Sequence, residues 1–111
     1  MKKALLLLTS PLLFTSVFAQ NYCSSARYDT EVFTNVTTLS NVTYGQNLDL
    51  NNSMVTLKMD IYQPTGDTAS KRPVIVFAHG GSFISGSKTD SYAIDFCTRF
   101  AKRGYLVVSI D

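Results

Sequence analysis

The mature part of this sequence lacks an excess of charge of either sign. The full sequence of 111 residues contains 10 basic and 8 acidic side chains, which gives a formal net charge of +2. Lys2 and Lys3 belong to a segment that is predicted below to be a removable leader, and without them 8 basic residues face 8 acidic ones. A near-neutral protein has no long-range attraction to nucleic acid or to an anionic membrane surface, so we predict neither as a partner.

The sequence also lacks an apolar run that is long enough to span a bilayer. The apolar segment Ala4–Phe18 is shorter than the roughly 20 residues that a transmembrane helix needs, and Pro11 interrupts it. Two lysines precede this segment and the small residue Ala19 follows it, which is the pattern of a secretory signal peptide. We therefore predict a signal peptide over residues 1–19 with cleavage after Ala19, no membrane anchor, and a secreted or periplasmic protein.

Cysteine is scarce, since Cys23 and Cys97 are the only two and both follow the predicted cleavage site. In an oxidising compartment an even pair favours a disulfide. The alternative is two unrelated thiols, with Cys97 as a small buried apolar residue. Both interpretations stay open at this point.

Hydrophobic periodicity divides the remaining chain into an irregular start and a single domain. Residues 20–40 are polar and are predicted to form an irregular N-terminal segment, in which residues 31–39 carry only a weak strand pattern. Residues 41–111 are predicted to form the domain. Within it we expect strands at residues 41–44, 55–62, 74–78 and 105–110, and a helix at residues 89–103.

Two of these strands have different patterns. Apolar and polar residues alternate in Val55–Tyr62, which is typical of an antiparallel or edge strand with one solvated face, and Asp60 falls on the polar side. Every residue of Val74–Ala78 is apolar, which is typical of a central strand that helices cover on both sides. The helix that follows is predicted to bury one stripe of residues, made of Ala93, Phe96, Cys97, Phe100 and Ala101.

A strand, a helix and a second strand in this order form a βαβ unit, whose connection we expect to be right-handed and whose strands we expect to be parallel. The predicted fold class is therefore α/β, with antiparallel leading strands before the βαβ unit. The last predicted strand ends at Ile110 with nothing to cover it, whereas parallel sheets are covered on both faces. We therefore expect residues 41–111 to be the N-terminal portion of a larger, truncated domain.

The segment between the βαβ strand and its helix, residues 79–86, is called the glycine loop below. A phosphate loop of the form G-x-x-x-x-G-K-[ST] nearly fits it, but Ser87 separates Gly86 from Lys88 and displaces the lysine. A purely structural turn is a second interpretation. The third is an oxyanion hole, in which backbone N–H groups stabilise the negative oxygen of a tetrahedral intermediate, because small residues let those donors turn toward a substrate.

The loop sequence His79-Gly-Gly-Ser-Phe-Ile-Ser-Gly86 resembles the His-Gly-Gly-x-Phe/Trp-x-x-Gly loop of the carboxylesterase and lipase families of the α/β-hydrolase fold. Leu57-Lys-Met-Asp-Ile-Tyr-Gln-Pro64 is similar to the Leu-x-x-Asp-x-Tyr-x-Pro strand that precedes the loop in those families. Phe100-Ala-Lys-Arg-Gly-Tyr-Leu-Val-Val-Ser-Ile-Asp111 is similar to the helix end and strand that follow it. The resemblance covers about residues 42–111, is closest to exported bacterial enzymes of the carboxylesterase type, and favours the oxyanion hole.

This resemblance implies a role for each residue at the start of the loop. The backbone N–H groups of Gly81 and Ser82 would be the two oxyanion donors, and Gly80 would give the turn its freedom. His79 is the only histidine in the sequence. The families place their catalytic base far downstream, so His79 would instead brace the loop by hydrogen bonding, and Phe83 would pack under it.

The catalytic triad of such an enzyme is absent from these residues. The sequence contains no Gly-x-Ser-x-Gly nucleophile motif and no identifiable acid or base of a triad. We predict an exported serine hydrolase that acts on a small-molecule carboxylic ester without cofactor or metal, and we expect residues 1–111 to be inactive by themselves. Two alternatives stay open, a non-catalytic binding domain and a peptidase of the same fold, and the sequence leaves the oligomeric state undetermined.

Overall fold

The computed structural model describes residues 26–82 and 84–111, so the predicted signal peptide, Cys23 and Phe83 lie outside the described residues. Those residues form one mixed sheet of four strands with one helix. The elements in chain order are β1 (Val36–Leu48), β2 (Met54–Pro64), β3 (Val74–Ala78), α1 (Ser91–Lys102) and β4 (Leu106–Ile110). The sheet order is β1-β2-β4-β3, in which β2 pairs antiparallel with both neighbours and β3 pairs parallel with β4. The α/β class, the antiparallel start and the parallel pair of the βαβ unit are confirmed.

The first strand is one long element where the sequence predicts an irregular segment followed by a short strand. Residues 36–39 pair with β2, so the irregular segment predicted over residues 20–40 is wrong for its last part. Val36 lies opposite Pro64 at one end of the ladder, and Leu48 lies opposite Met54 at the other. Two register shifts interrupt the ladder, and a bulge of this kind bends a strand locally without ending it. This is how a polar, Asn- and Thr-rich sequence follows β2 over its whole length.

The face of β2 that the sequence predicts to be solvated is buried where it crosses the sheet centre. Asp60 is 3% exposed and Tyr62 is 5% exposed. They lie opposite Ser109 and Val107 of β4, which are also buried and belong to the face that α1 covers. The prediction of a solvated face is therefore wrong at these two positions, because α1 and β4 surround them.

The structure places β3 at an edge of the four-stranded sheet rather than at its centre. Ile75 and Phe77 pack toward the core. Val74 and Val76 alternate with them and are 57% and 64% exposed. The prediction that helices cover both sides of β3 is wrong for the described residues, since these supply only α1, which lies on one side.

The helix α1 supplies most of the core. Its bounds are Ser91–Lys102, slightly inside the predicted 89–103. The buried residues of the helix are Ala93, Cys97 and Ala101, as predicted, and Phe96 and Phe100 are half-buried beside them. Asp90 is the N-cap residue, but its carboxylate accepts a hydrogen bond from the Ser87 N–H rather than from the helix. Within the described residues, no helix has the length and apolarity that crossing a membrane requires.

A cluster of two arginines and one aspartate ties the start of the described chain to the sheet. Arg27 donates two hydrogen bonds to Asp67, at 3.0 and 2.7 Å, and Arg72 donates a third. Arg27 also donates to the Gly104 carbonyl at 3.2 Å, next to the end of α1. The Asp67 side chain is 3% exposed. The Arg27 guanidinium holds the pKa of the Asp67 carboxyl well below its usual range, Arg72 acts in the same direction, and burial opposes both.

Candidate functional site

The glycine loop and the end of β4 enclose the candidate site. A cavity of about 680 Å³ lies here, between the carboxyl ends of the parallel strands β3 and β4. Its lining includes the four loop residues singled out from the sequence, which are His79, Gly80, Gly81 and Ser82. Ligand sites in open α/β sheets lie at the carboxyl ends of strands, because the loops there are free to present polar groups. The structure therefore brings the predicted loop residues together around one space.

The backbone N–H groups at the start of the loop differ in what they bind. The Gly80 N–H donates to the Tyr92 hydroxyl oxygen at 3.1 Å, so this donor is already used. Within residues 26–82 and 84–111, the N–H groups of Gly81 and Ser82 have no hydrogen-bond partner. Two adjacent donors that have no partner in the described part of the chain, and that lie beside a cavity, are an arrangement that can receive a negatively charged oxygen.

A tight turn sets the backbone of these two donors. The Gly81 carbonyl accepts hydrogen bonds from the N–H groups of Ile84 at 3.0 Å and Ser85 at 3.1 Å. Gly81 has φ +126°, and a Cβ added there would overlap the Ser85 carbonyl. Ser82 follows with φ +55°, a left-handed conformation that costs a residue with a side chain about 1–3 kcal/mol. The loop backbone is thus held in a conformation that most side chains would resist.

His79 contacts the backbone of the glycine loop to which it belongs. Its Nδ1 lies 2.7 Å from the Gly80 carbonyl oxygen, and since a carbonyl only accepts, this nitrogen donates. Gly86 returns to the same place, where a Cβ added to it would overlap both the Gly80 carbonyl and the His79 ring. His79, Gly80 and Gly86 therefore form one packed unit at the base of the loop. The bracing role of His79 stays a prediction.

Lys88 follows the glycine loop by two residues, and three of its atoms make polar contacts with the sheet and its end. Its Nζ lies 3.1 Å from Asp60 Oδ1, its N–H donates to Asp111 Oδ1 at 2.8 Å, and its carbonyl accepts from the Ser109 hydroxyl at 3.1 Å. Its side chain is buried against Asp60, since Lys88 is 5% exposed, and it is not among the residues that line the cavity. A phosphate-loop lysine must reach its ligand, so the buried pair with Asp60 contradicts the phosphate-loop interpretation.

Sequence reasoning missed Tyr92, Asp60 and Lys88 as parts of this site. Asp60 falls in an alternating strand, where the local pattern predicts a solvated carboxylate. Lys88 and Tyr92 lie near a helix start, where a polar side chain is ordinary. The only sequence feature that pointed to any of them was the aspartate of the Leu-x-x-Asp-x-Tyr-x-Pro pattern, and the pattern does not indicate which residue pairs with that aspartate.

The other nucleophilic or ligating groups of the described chain do not form a second site. Among residues 26–82 and 84–111, no three His, Cys, Asp or Glu side chains come together as metal ligands do. Cys97 is fully buried on the inner face of α1, and this burial raises the pKa of its thiol, which keeps it protonated near neutral pH. Its pairing with Cys23 stays a prediction, because Cys23 lies outside the described residues.

Comparison with known proteins gives one match. Residues 59–111, just under half of the chain, match the BD-FAE family model, which describes esterase- and hydrolase-like α/β domains. The matched segment runs from within β2 to the end of β4 and contains the whole glycine loop. No curated protein matches the chain. The second half of the chain is thus similar to a hydrolase-like α/β domain.

Proposed function

We propose that this protein is an exported serine hydrolase of carboxylic esters, and that the glycine loop supplies its oxyanion hole. The observation that carries the proposal is the pair of N–H groups on Gly81 and Ser82, which have no partner among the described residues and lie beside the cavity. The match to esterase- and hydrolase-like domains over residues 59–111 supports the same class. Export is inferred from the leader pattern of residues 1–19.

The chemistry gives these two donors a defined task. When a serine hydroxyl attacks an ester carbonyl, the carbonyl oxygen becomes negative in the tetrahedral intermediate. Each fixed N–H donor at that oxygen lowers the activation free energy by about 3–4 kcal/mol. The intermediate then expels the alcohol, and water hydrolyses the acyl-enzyme through the same oxyanion position. The Gly80 N–H takes no part, since it is bound to Tyr92.

The cavity suits a small substrate. Its volume of about 680 Å³ lies within the range of sites for small organic molecules, about 300–1,000 Å³. Its apolar lining comes from Ala78, Ile84 and Ile110, which can contact the carbon chains of an ester. The nucleophile, acid and base lie outside residues 1–111 in this proposal, because the sequence contains no Gly-x-Ser-x-Gly motif.

The test compares the 111-residue chain with the product of the complete open reading frame. We expect the 111-residue chain to hydrolyse no p-nitrophenyl acetate, and the complete product to hydrolyse it and to be labelled on serine by a fluorophosphonate. Turnover by the 111-residue chain that survives purification would contradict the assignment of the triad.

A complete product that is folded but neither labelled nor active would contradict the proposed enzymatic function and favour the non-catalytic binding domain. Cleavage of a peptide anilide with no cleavage of the ester would instead identify a peptidase. In the complete product, Gly81→Ala should lower turnover, and Gly45→Ala is its matched control, since an added Cβ at Gly45 meets nothing closer than 3.9 Å.

A further inference from the structure

Lys88 is the one lysine that is buried among the described residues, and it sits where the glycine loop returns to the sheet. Burying an ammonium is costly unless a partner compensates for lost hydration. Here Asp60 provides the partner, at 3.1 Å and 3% exposed, and Asp111 Oδ2 lies further away at 3.9 Å. An exposed lysine would avoid this cost. The burial of Lys88 therefore indicates that its pair with Asp60 holds this segment of the chain in a defined position.

The partner carboxylate is itself held in place. Asp60 Oδ1 accepts a hydrogen bond from the Asn41 N–H at 2.8 Å. Asn41 lies in the bulge of β1 with φ +59°, where its N–H is released from the strand ladder. Asp60 Oδ1 therefore links three parts of the chain, which are the bulge of β1, the centre of β2 and Lys88 just after the glycine loop.

A short chain of contacts connects Lys88 to the candidate donors. Gly86 precedes Lys88 by two residues and packs against the Gly80 carbonyl and the His79 ring. A Cβ added at Gly86 would overlap the Gly80 carbonyl, so the two backbones are in close contact and a displacement of Lys88 that moved Gly86 would also displace Gly80. Gly81 and Ser82 follow Gly80 directly.

We propose that Lys88 is a positioning residue, whose ion pair with Asp60 fixes the glycine loop and thereby aims the N–H groups of Gly81 and Ser82. This inference rests on the proposed function of those donors. Lys88 does not touch the substrate, because its ammonium is buried against Asp60. It acts through the backbone of the loop.

Butyrate is the probe, because its carboxylate is an anion that two aligned N–H donors can bind. Isotope-labelled protein, expressed with its own leader, is titrated with butyrate while the amide chemical shifts of Gly81 and Ser82 are followed by NMR. The decisive variant is Lys88→Met/Asp60→Asn, which removes both charges. It leaves no unpaired buried charge and keeps the local net charge unchanged, so it is expected to fold.

Positioning and simple charge attraction give different results in this experiment. If Lys88 acts only through its charge, the double variant binds butyrate as the wild type does, and Asp60→Asn alone binds it more tightly. If the ion pair positions the loop, both variants bind butyrate about tenfold more weakly or worse, the loss that follows when a hydrogen bond to a charged acceptor is misaligned. Lys58→Met is the matched control, since it removes a lysine charge that is exposed on β2.

Each outcome decides one statement. Weaker binding in the double variant, with unchanged amide shifts in α1, supports the positioning role. Wild-type affinity in that variant overturns it and leaves the proposed function intact. A folded wild type whose Gly81 and Ser82 amides do not respond to butyrate overturns the oxyanion hole itself, and with it this inference. If the double variant does not fold, Lys88→Arg gives the same decision, because it keeps the positive charge and changes the geometry of the pair: weaker butyrate binding supports the positioning role, and wild-type affinity overturns it.

Discussion

The Nζ atom of Lys88 lies 3.1 Å from Oδ1 of Asp60, and the two side chains are 6% and 4% exposed. A buried pair of this kind is strongly coupled, because removal of one partner leaves the other charged and without hydration. Removing both partners avoids that penalty. The pair thus links the segment just after the glycine loop to the centre of the sheet. A comparison of single and double substitutions measures how strongly the two side chains are coupled.

Single substitutions at this pair should destabilise the fold more than the double substitution does. Lys88→Met and Asp60→Asn are each expected to lower the free energy of unfolding by about 3–5 kcal/mol, and Lys88→Met/Asp60→Asn by less than either single substitution. Urea unfolding measures all three. The control is Asp95→Asn, which breaks the pair of Asp95 and Arg99, both 62% exposed, and should change the stability little because solvent screens an exposed pair. Additive losses at Lys88 and Asp60 would show that the pair is not coupled.

Gly81 should not tolerate a side chain. In Gly81→Ala the new Cβ would overlap the Ser85 carbonyl at a backbone with φ +126°, so the turn that holds the candidate donors must open. We expect the Ser82 amide shift to move and the butyrate response to disappear, while the amide shifts of α1 stay unchanged. Gly45→Ala is the control, because its Cβ has space and its φ lies outside the left-handed region. An alanine at Gly81 that leaves the butyrate response intact would show that the turn is not needed for binding.

Because the backbone of Ser82 is left-handed, we expect glycine and β-branched substitutions there to differ in their effect on stability. At φ +55° glycine removes the strain, whereas a β-branched side chain increases it. Ser82→Gly should therefore be at least as stable as the wild type and keep the butyrate response. Ser82→Val should be less stable than Ser82→Gly by about 1–3 kcal/mol. Thermal unfolding compares the two, and equal stabilities would mean that the loop relaxes away from this conformation.

The Asp67 cluster should make stability depend on acid pH. The pKa of Asp67 is lowered in the folded protein from its ordinary value of 3.8, first by the hydrogen bonds from Arg27. The folded state therefore binds fewer protons than the unfolded state, so this stabilisation is fully present above pH 3.8 and is lost as the pH falls below it.

Asp67→Asn tests that dependence. It should lower the free energy of unfolding at neutral pH by about 1.5–3 kcal/mol, since hydrogen bonds between charged groups are lost, and the remaining curve should be flatter in acid. Urea unfolding at several pH values measures both effects. Asp95→Asn, at an exposed pair, should leave the acid dependence unchanged. An unchanged curve in Asp67→Asn would show that other carboxylates carry the acid sensitivity.

Much of the local structure could be predicted from the sequence because it depends on near neighbours. The apolar stripe of α1 recurs at helical spacing, and Ala93, Cys97 and Ala101 are its buried residues. The glycine loop could be located because it follows an apolar strand and precedes a helix. The length of β1 could not, since bulges at polar residues allow pairing that the local pattern does not favour.

The sequence by itself determined the order of the elements, the α/β class and the segment whose backbone is free of bulky side chains. Only the tertiary structure decided which loop N–H groups are used and which polar side chains are buried. Tyr92 takes the Gly80 N–H, and Asp60 pairs with Lys88. The physical reason is distance along the chain. Helix and strand preferences act within a few residues, whereas the burial of Asp60 depends on a lysine that the sheet order and the loop bring to it.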